Sequence, residues 1–248
     1  MSSIAFIGDC YVDRKISING NLPETIILNW EHTCPEEGHQ LTQKVSLGLS
    51  GEFYPASFQG KKIIAGLANN HTADYGEHGI RKTIEEISSY GWESYGASIN
   101  ENTRKIHIFE SNGKKLAILF YAHSSSSPIT SIDGKEVVNE YQRKKLYEDI
   151  VTARNYYVDH ITVVIHWGAE EVKLPPPEVV KEARIMIDMG VDLIVGHHAH
   201  VIQPVELYKG KYIFYGIGNF YFPNFSTTIL ENNGSKRIFS KNQSKETK

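Results

Sequence analysis

The chain has 248 residues, of which 40% are hydrophobic and 22% charged, a balance typical of a globular protein with a buried core. Its formal net charge of −3 provides no whole-molecule attraction to nucleic acid or anionic lipid. The N-terminal segment lacks the features of a signal peptide, and no apolar run reaches the roughly 18 to 20 residues that span a bilayer. We therefore expect a cytoplasmic protein that neither inserts into membranes nor binds nucleic acid.

Short apolar strands alternate with amphipathic helices along the chain. The pattern predicts, in chain order, strands at 4–7, 25–28 and 62–68, a helix over 79–90, a hairpin of 104–110 with 115–121, a helix over 139–158, a strand at 161–166, a helix over 177–189, a strand at 191–195 and a hairpin of 206–208 with 212–215. Such alternation is typical of a layered α/β domain. We expect one domain over 1–231 and a polar, mobile tail over 232–248.

Polar side chains stand where the predicted strands end. These strand ends carry Asp9, Asn29, Glu31, Asn69, Asn70, His71, Asp74, His166, Glu170, the histidines at 197, 198 and 200, and Asn219. Strand ends of an open α/β sheet meet at one edge, which is where ligands bind. The sequence therefore predicts a site assembled from loops across the whole chain.

The side-chain types at these ends point to metal ions. One aspartate, one glutamate, one asparagine and at least three histidines form a mixed oxygen and nitrogen set. Such a set suits Mn, Fe or Zn better than Ca or Mg. Six groups are too many for one tetrahedral ion with an open position, and they fit two divalent ions, which also activate water as a nucleophile.

Three histidines follow the strand at 191–195, within the segment VGHHAH. Side chains of an extended segment alternate, so His198 and His200 would point to one side and His197 to the other. We therefore expect His198 and His200 to be the metal-binding pair and His197 to be a supporting or packing group.

The segments GDC, NWE, ANNHTADYG, HWGAE, GHHAHVIQPVE and YGIGNF resemble, in order and approximate spacing, the CapA capsule-synthesis family. Members of that family help to make capsular polymers, including poly-gamma-glutamate, and belong to the calcineurin-like metallophosphoesterase superfamily. The resemblance covers roughly residues 4 to 222. It implies a four-layer α/β/β/α sandwich, the calcineurin-like metallophosphatase fold, with metal ions at the strand ends.

Residue by residue, the resemblance implies metal ligands at Asp9, Glu31, Asn70, His166, His198 and His200. Glu31 stands where the superfamily has its bridging aspartate. His71 matches the histidine that protonates the leaving group, so His71 and Asn70 are the predicted catalytic residues. Cys10 and Tyr11 differ from the superfamily, which has histidine two residues after the first aspartate.

Several nearby residues have less defined roles. Glu206 and Asn219 are candidates to line the site, and Asp9, Glu31 or Asn70 could instead be ordinary capping or solvated groups. Cys10 and Cys34 fit reduced, partly buried thiols better than thiolate ligands.

Two functions of different classes fit these observations. The first is a metal-dependent hydrolase that cleaves a phosphate ester or an acyl or amide bond in a cell-envelope polymer or its precursor. The second is a non-catalytic, metal-binding subunit of a capsule or poly-gamma-glutamate synthesis apparatus, with other capsule-synthesis proteins as partners. A nucleic-acid phosphodiesterase is a third possibility, but the chain lacks the basic surface that this would need.

Overall fold

A computed structural model describes residues 3–18, 20–35, 40, 44–49, 51, 54–100, 103–230 and 235–241. The helices are α1 (Gly76–Ser89), α2 (Arg143–Asn155) and α3 (Pro177–Asp188). The strands are β1 (Ile4–Cys10), β2 (Thr25–Trp30), β3 (Lys62–Gly66), β4 (Glu93–Tyr95), β5 (His107–Ser111), β6 (Lys114–Ala122), β7 (Ser131–Ile132), β8 (Lys135–Glu136), β9 (His160–His166), β10 (Leu193–His197), β11 (Val205–Tyr208), β12 (Lys211–Phe214), β13 (Asn219–Tyr221), β14 (Phe225–Leu230) and β15 (Lys236–Lys241). Each helix and strand predicted from the sequence pattern is present, with boundaries shifted by a few residues.

Two main sheets carry the fold. The first has five parallel strands in the order β13-β1-β2-β3-β4. The second has six strands in the order β11-β12-β10-β9-β6-β5, of which the inner four are parallel and the outer two antiparallel to their neighbours. Because parallel strands run in one direction, their carboxyl ends lie along one edge of each sheet, and the polar strand ends lie there.

The two sheets pack face to face. Alternate residues of β2 and β3, such as Ile27 and Ile64, share one apolar cluster with Phe120 and Val164 of the second sheet. Apolar side chains lose contact with water on both sheet faces at once, which contributes roughly 25 cal/mol per Å² of buried area. This shared cluster fixes how the two carboxyl edges meet.

Helices and loops cover the outer faces. Ile150 of α2 and Met186 of α3 pack against the second sheet, in a cluster with Tyr121 and Trp167. The outer face of the first sheet packs against Ile87 of α1 and against irregular segments. The layers are therefore α/β/β/α, as the resemblance implies, and the layer over the five-stranded sheet contains one α-helix among the described residues.

The C-terminal hairpin differs from the predicted mobile tail. Residues 236–241 form β15, which pairs antiparallel with β14. β14 contains two threonines and an isoleucine, and β15 contains Ile238 and Phe239, residue types that favour paired strands. The rest of the predicted tail, 232–234 and 242–248, lies outside the described residues.

The helices are short. The longest, α1, has 14 residues. Among the described residues, we find no helix with the length and apolar character that crossing a membrane requires.

Candidate metal centre

Two glycines let the strand ends come close together. A Cβ at Gly8 would lie 2.0 Å from the carbonyl oxygen of Gly218, and one at Gly196 would lie 2.0 Å from that of Tyr215. No side chain fits such a gap, so both positions require glycine. The residues that follow these glycines, Asp9 and His197, are thereby brought against neighbouring strands at the sheet edge.

Two buried carboxylates form the floor of the site. Asp9 and Glu31 are both 0% exposed. The Asn29 side-chain amide donates to Asp9 Oδ1 at 2.8 Å and to Glu31 Oε2 at 3.2 Å, and it lies 3.4 Å from His166 Nδ1. Asn29 therefore holds both carboxylates in place, a role that the sequence did not predict for it.

Five of the six predicted ligands form two overlapping groups. Asp9, Glu31 and His166 form one, and Glu31, His198 and His200 form the other; within each group the candidate ligand atoms lie within 4.8 Å of one another. Glu31 belongs to both groups, and its Oε1 lies 3.6 Å from His166 Nε2 and 3.7 Å from His200 Nε2. A carboxylate shared in this way has the placement of a bridging ligand.

The histidine segment after β10 is not extended, so the alternation argument is wrong. His198 has a φ of 89° and His200 a φ of 55°. The His198 amide donates to Asp9 Oδ2 at 3.2 Å, and this bond curls the segment around the carboxylate. His197 Nδ1 consequently lies 2.9 Å from Asp9 Oδ1, in contact with a predicted ligand, although it belongs to neither ligand group. His197 thus supports Asp9.

Adjacent residues of the loop after β3 have separate tasks. Asn69 bonds inward, to Asn29, to the Trp30 carbonyl and to the loop's own amides. The Asn70 side-chain oxygen points the other way and lies 2.9 Å from His166 Nε2. Asn70, the sixth predicted ligand, is therefore within reach of an ion bound by His166.

His71 faces a cleft beside the carboxylates. Its Nδ1 lies 2.7 Å from Asp74 Oδ2, which leaves Nε2 for a substrate. Asp74 is 0% exposed and also accepts from the Leu47 amide at 2.8 Å and from the Lys44 ammonium. The strand-end position of Asp74 alone predicts no role for it, because two of its partners, Lys44 and Leu47, come from a segment whose path the sequence does not reveal.

Burial favours the neutral imidazole at His166 and His198. Burial lowers the pKa of His166 well below its usual range, and it lowers the pKa of His198 to about 4. Burial also raises the pKa of Glu31 well above its usual range, with repulsion from Asp9 adding to the effect. Burial acts in the same direction on Asp9, but His197, His200 and Asn29 outweigh it and hold the pKa of Asp9 below its usual value. Neutral imidazole is the form that binds metal.

Two buried atoms test whether these residues fit a cation. Among the described residues, Glu31 Oε1 and His198 Nδ1 are buried without a hydrogen-bond partner. Leaving such an acceptor unpaired typically costs about 1 to 3 kcal/mol, and more for a charged group. A cation bound by both ligand groups would give Glu31 Oε1 a partner, so the donor set fits the metal ions predicted from the sequence. That these residues bind metal stays a prediction.

The remaining candidates divide between inside and outside the site. Asn219 lies inside, 2.8 Å from His200 Nδ1, which leaves Nε2 of His200 directed at Glu31. Glu206 lies outside, bonded to Arg184 and Tyr215. Neither cysteine forms a disulfide, and burial raises the pKa of each thiol, that of Cys34 to about 12. Both therefore stay protonated thiols.

Comparison with known proteins assigns the family. The family model described as bacterial capsule synthesis protein PGA_cap matches residues 18–224. The chain belongs to this family. Its relatives include the PGA biosynthesis protein CapA of Bacillus subtilis, which is 33% identical over an alignment that covers 62% of this chain and 41% of the relative. The capsule biosynthesis protein CapA of Bacillus anthracis is 30% identical over 87% of this chain and 54% of the relative. A probable polyglutamine synthesis accessory protein of Mycobacterium tuberculosis is 26% identical over 79% of this chain and 55% of its own.

The PGA_cap chain spans about half the length of these relatives. Among solved structures, a phosphatase of Mycoplasma pneumoniae aligns with 87% of this chain and 71% of its own, at 17% identity and a TM-score of 0.49. A structure described as a 5'-nucleotidase of Staphylococcus aureus aligns with 72% of this chain and 36% of its own, at 14% identity and a TM-score of 0.44. Likeness at this level carries no argument about function.

Proposed function

We propose that this chain is a metal-dependent hydrolase of the PGA_cap family. In this proposal it cleaves a phosphate ester or an acyl or amide bond in a cell-envelope polymer or its precursor. The observation that carries the proposal is the placement of Glu31: its unpartnered Oε1 belongs to two ligand groups, next to a cleft that His71 faces. The polymer and the synthesis apparatus are suggested by the names of the longer relatives.

Asp9, Glu31, Asn70, His166, His198 and His200 would hold two divalent ions, with Mn, Fe or Zn favoured by the mixed ligand set. When bound, such ions activate water and stabilise negative charge that develops on the substrate. All five of the carboxylate and histidine ligands are buried, which strengthens electrostatic interactions at the site. Asn29 and Asn219 orient ligands from behind.

His71 supplies the proton for the leaving group. Asp74 accepts from Nδ1 of His71, which fixes the ring and leaves Nε2 as the nitrogen that would pass a proton to a group in the cleft. Lys44 and the Leu47 amide hold Asp74 in turn. Departure of an alkoxide is difficult without a proton, so His71 matters most for substrates with basic leaving groups.

A non-catalytic, metal-binding subunit is the second candidate, and one observation favours it. The ligand groups are almost completely buried, with Asp9 and Glu31 at 0% exposure, and closed sites are typical of structural metals. The cleft that reaches His71 and His200 favours catalysis instead. In either case we propose that the protein is cytoplasmic, and cell fractionation tests this location. We also propose that its partners are other capsule-synthesis proteins, and affinity capture of the full-length protein tests this.

A His71→Ala variant separates these functions. We expect its metal content after Mn²⁺ or Zn²⁺ loading, measured by elemental analysis, to equal that of the wild type. Hydrolysis of alkyl phosphates should fall about 10² to 10⁴-fold, and hydrolysis of p-nitrophenyl phosphate should fall less, because p-nitrophenolate leaves without a proton.

His160→Ala is the matched control, since His160 is a half-buried histidine at the opposite end of β9. It should change neither metal content nor rate. Metal loss in His71→Ala would make His71 a ligand. A wild type that holds metal but hydrolyses no phosphate, acyl or amide substrate would favour the non-catalytic function.

A further inference from the structure

The cleft beside the candidate metal centre has a volume of about 230 Å³. His71, Asn70 and His200 lie at its base, so anything that enters it lies next to the predicted ligands. An apolar cavity of about 150 Å³ is large enough to hold benzene. The cleft therefore has room for a ring or a short alkyl chain attached to the group at the centre.

One wall of the cleft is apolar. It consists of Val45, Leu47, Phe222 and Phe225, which we call the apolar wall. Val45 and Phe225 are only half-buried, so part of their apolar surface faces the cleft. A wall of this kind gains from contact with an apolar ligand and gains little from a fully hydrated ion.

Aromatic contacts hold the apolar wall in position. The Phe222 ring packs edge-on against the His200 ring, with centroids 4.7 Å apart. Behind it, the Tyr11 ring lies 5.4 Å from Phe222 and 6.0 Å from Phe225. The wall is therefore preformed, and it begins at one of the predicted metal ligands.

The charged side chains of the cleft are already paired with protein groups. Lys44 donates to Asp74 and to the Asn70 carbonyl, and Lys241 donates to Glu170. A second anionic group on a substrate would have to compete with these carboxylates. The surface left for a ligand beyond the metal centre is the apolar wall.

We infer that this cleft is a subsite for an apolar group, aryl or alkyl, on the substrate whose scissile bond lies at the metal centre. The inference rests on the proposed function. It narrows the substrate class to esters or amides that carry an apolar group close to the bond that is cleaved.

Phosphonates that cannot be hydrolysed test this subsite by binding alone. Mn²⁺-loaded full-length protein is titrated calorimetrically with methylphosphonate, butylphosphonate and phenylphosphonate. We expect phenylphosphonate or butylphosphonate, or both, to bind about tenfold more tightly than methylphosphonate, the gain from burying part of a phenyl or butyl group. The relative affinity of the phenyl and butyl probes distinguishes an aryl from an alkyl preference.

Two variants place the effect on the apolar wall. Phe225→Ala removes the ring, and Val45→Thr keeps the shape but adds a hydroxyl, so it serves if Phe225→Ala fails to fold. Each folded variant should keep its affinity for methylphosphonate and lose the tenfold advantage. Ile238→Ala is the control: Ile238 lies on the same hairpin, 78% exposed and outside the cleft, and its loss should change neither affinity.

The outcomes separate this inference from the proposed function. If metal loads and methylphosphonate binds, but neither larger probe binds more tightly, the apolar subsite is overturned while the proposed function stands. The same holds if both wall variants keep the advantage. If the protein takes up no metal, the proposed function fails, and the inference fails with it.

Discussion

Two buried carboxylate clusters in this molecule have opposite characters. Asp149, on α2, is 5% exposed and accepts from Arg104 at 2.6 and 3.1 Å and from the Tyr121 hydroxyl. Glu31 is 0% exposed, yet only the Asn29 amide donates to it and its Oε1 has no partner among the described residues. The first carboxylate is matched with a cation of the chain; the second lies beside another carboxylate and three histidines.

The difference shows how a structural and a functional cluster can be told apart. Burying an ionised carboxylate is costly unless it is paired. Asp149 has its pair within the chain and needs nothing further. Glu31 has no arginine or lysine paired with it among the described residues, and its Oε1 is left without a hydrogen-bond donor, which is the arrangement that a bound cation would satisfy. An unpartnered atom alone does not mark a metal site: His107 Nε2 also lacks a hydrogen-bond partner, and among the described residues the one carboxylate in ion-pair contact with this ring is that of Glu93.

The largest effect is expected from removing two predicted ligands. His198→Ala with His200→Ala should weaken metal binding by more than about 100-fold, because even residues that only support ligands contribute roughly 10 to 100-fold. Metal competition against a chelator measures this, and circular dichroism should show an intact fold. His197→Ala, which loses only a contact to Asp9, should weaken binding about tenfold. If His197→Ala lost as much metal affinity as the double variant, His197 would be a metal ligand like His198 and His200.

The second largest effect is expected from breaking the ion pair between Arg104 and Asp149. Arg104→Met should lower the free energy of unfolding by about 2 to 3 kcal/mol, less than a fully buried pair would lose, because the Arg104 side chain is 23% exposed. Metal content should not change. Lys114→Met, which breaks the exposed pair with Asp159, should cost less than about 0.5 kcal/mol in urea unfolding. If Arg104→Met released metal, the two clusters would not be independent.

The smallest effect concerns His107. Burial, partly offset by Glu93, lowers its pKa to about 4, against about 6.5 in an unfolded chain. The unfolded state therefore takes up this proton first, and stability present above pH 6.5 is lost as the pH falls towards 4. His107→Phe should remove roughly 2 kcal/mol of that loss. Unfolding curves across this pH range measure it; parallel curves for the two proteins would count against a neutral, structural His107.

The position of the site followed from the sequence because it depends on strand ends. Asp9, Glu31, His166 and the histidines after β10 each follow a short apolar run, and parallel strands bring such ends to one edge. A mixed oxygen and nitrogen donor set at this edge could therefore be predicted from the strand ends, and the resemblance to the CapA family implied its individual members.

What the sequence could not provide depends on backbone direction and on distant partners. His198 and His200 adopt positive φ values in a segment whose His198 amide donates a hydrogen bond to Asp9, and no local pattern encodes that contact. Asn29 and Asp74 resemble ordinary polar strand-end residues until their partners are known. The hairpin of β14 and β15 was missed because its polar composition outweighed its β-favouring residues.

The pairing of β1 with β13 has a consequence for the order of folding. Asp9 is paired in register with Asn219, and its side chain also contacts His197, which likewise lies far along the chain from β1. Closing the long stretch of chain between β1 and β13 costs conformational entropy before the contacts between these strands can form and stabilise the fold. At about 5 to 20 residues per second, a ribosome makes β1 on the order of 10 to 40 s before β13. The first strand therefore waits at a sheet edge for its neighbour. In refolding from denaturant, helical signal should return before the ability to bind Mn²⁺.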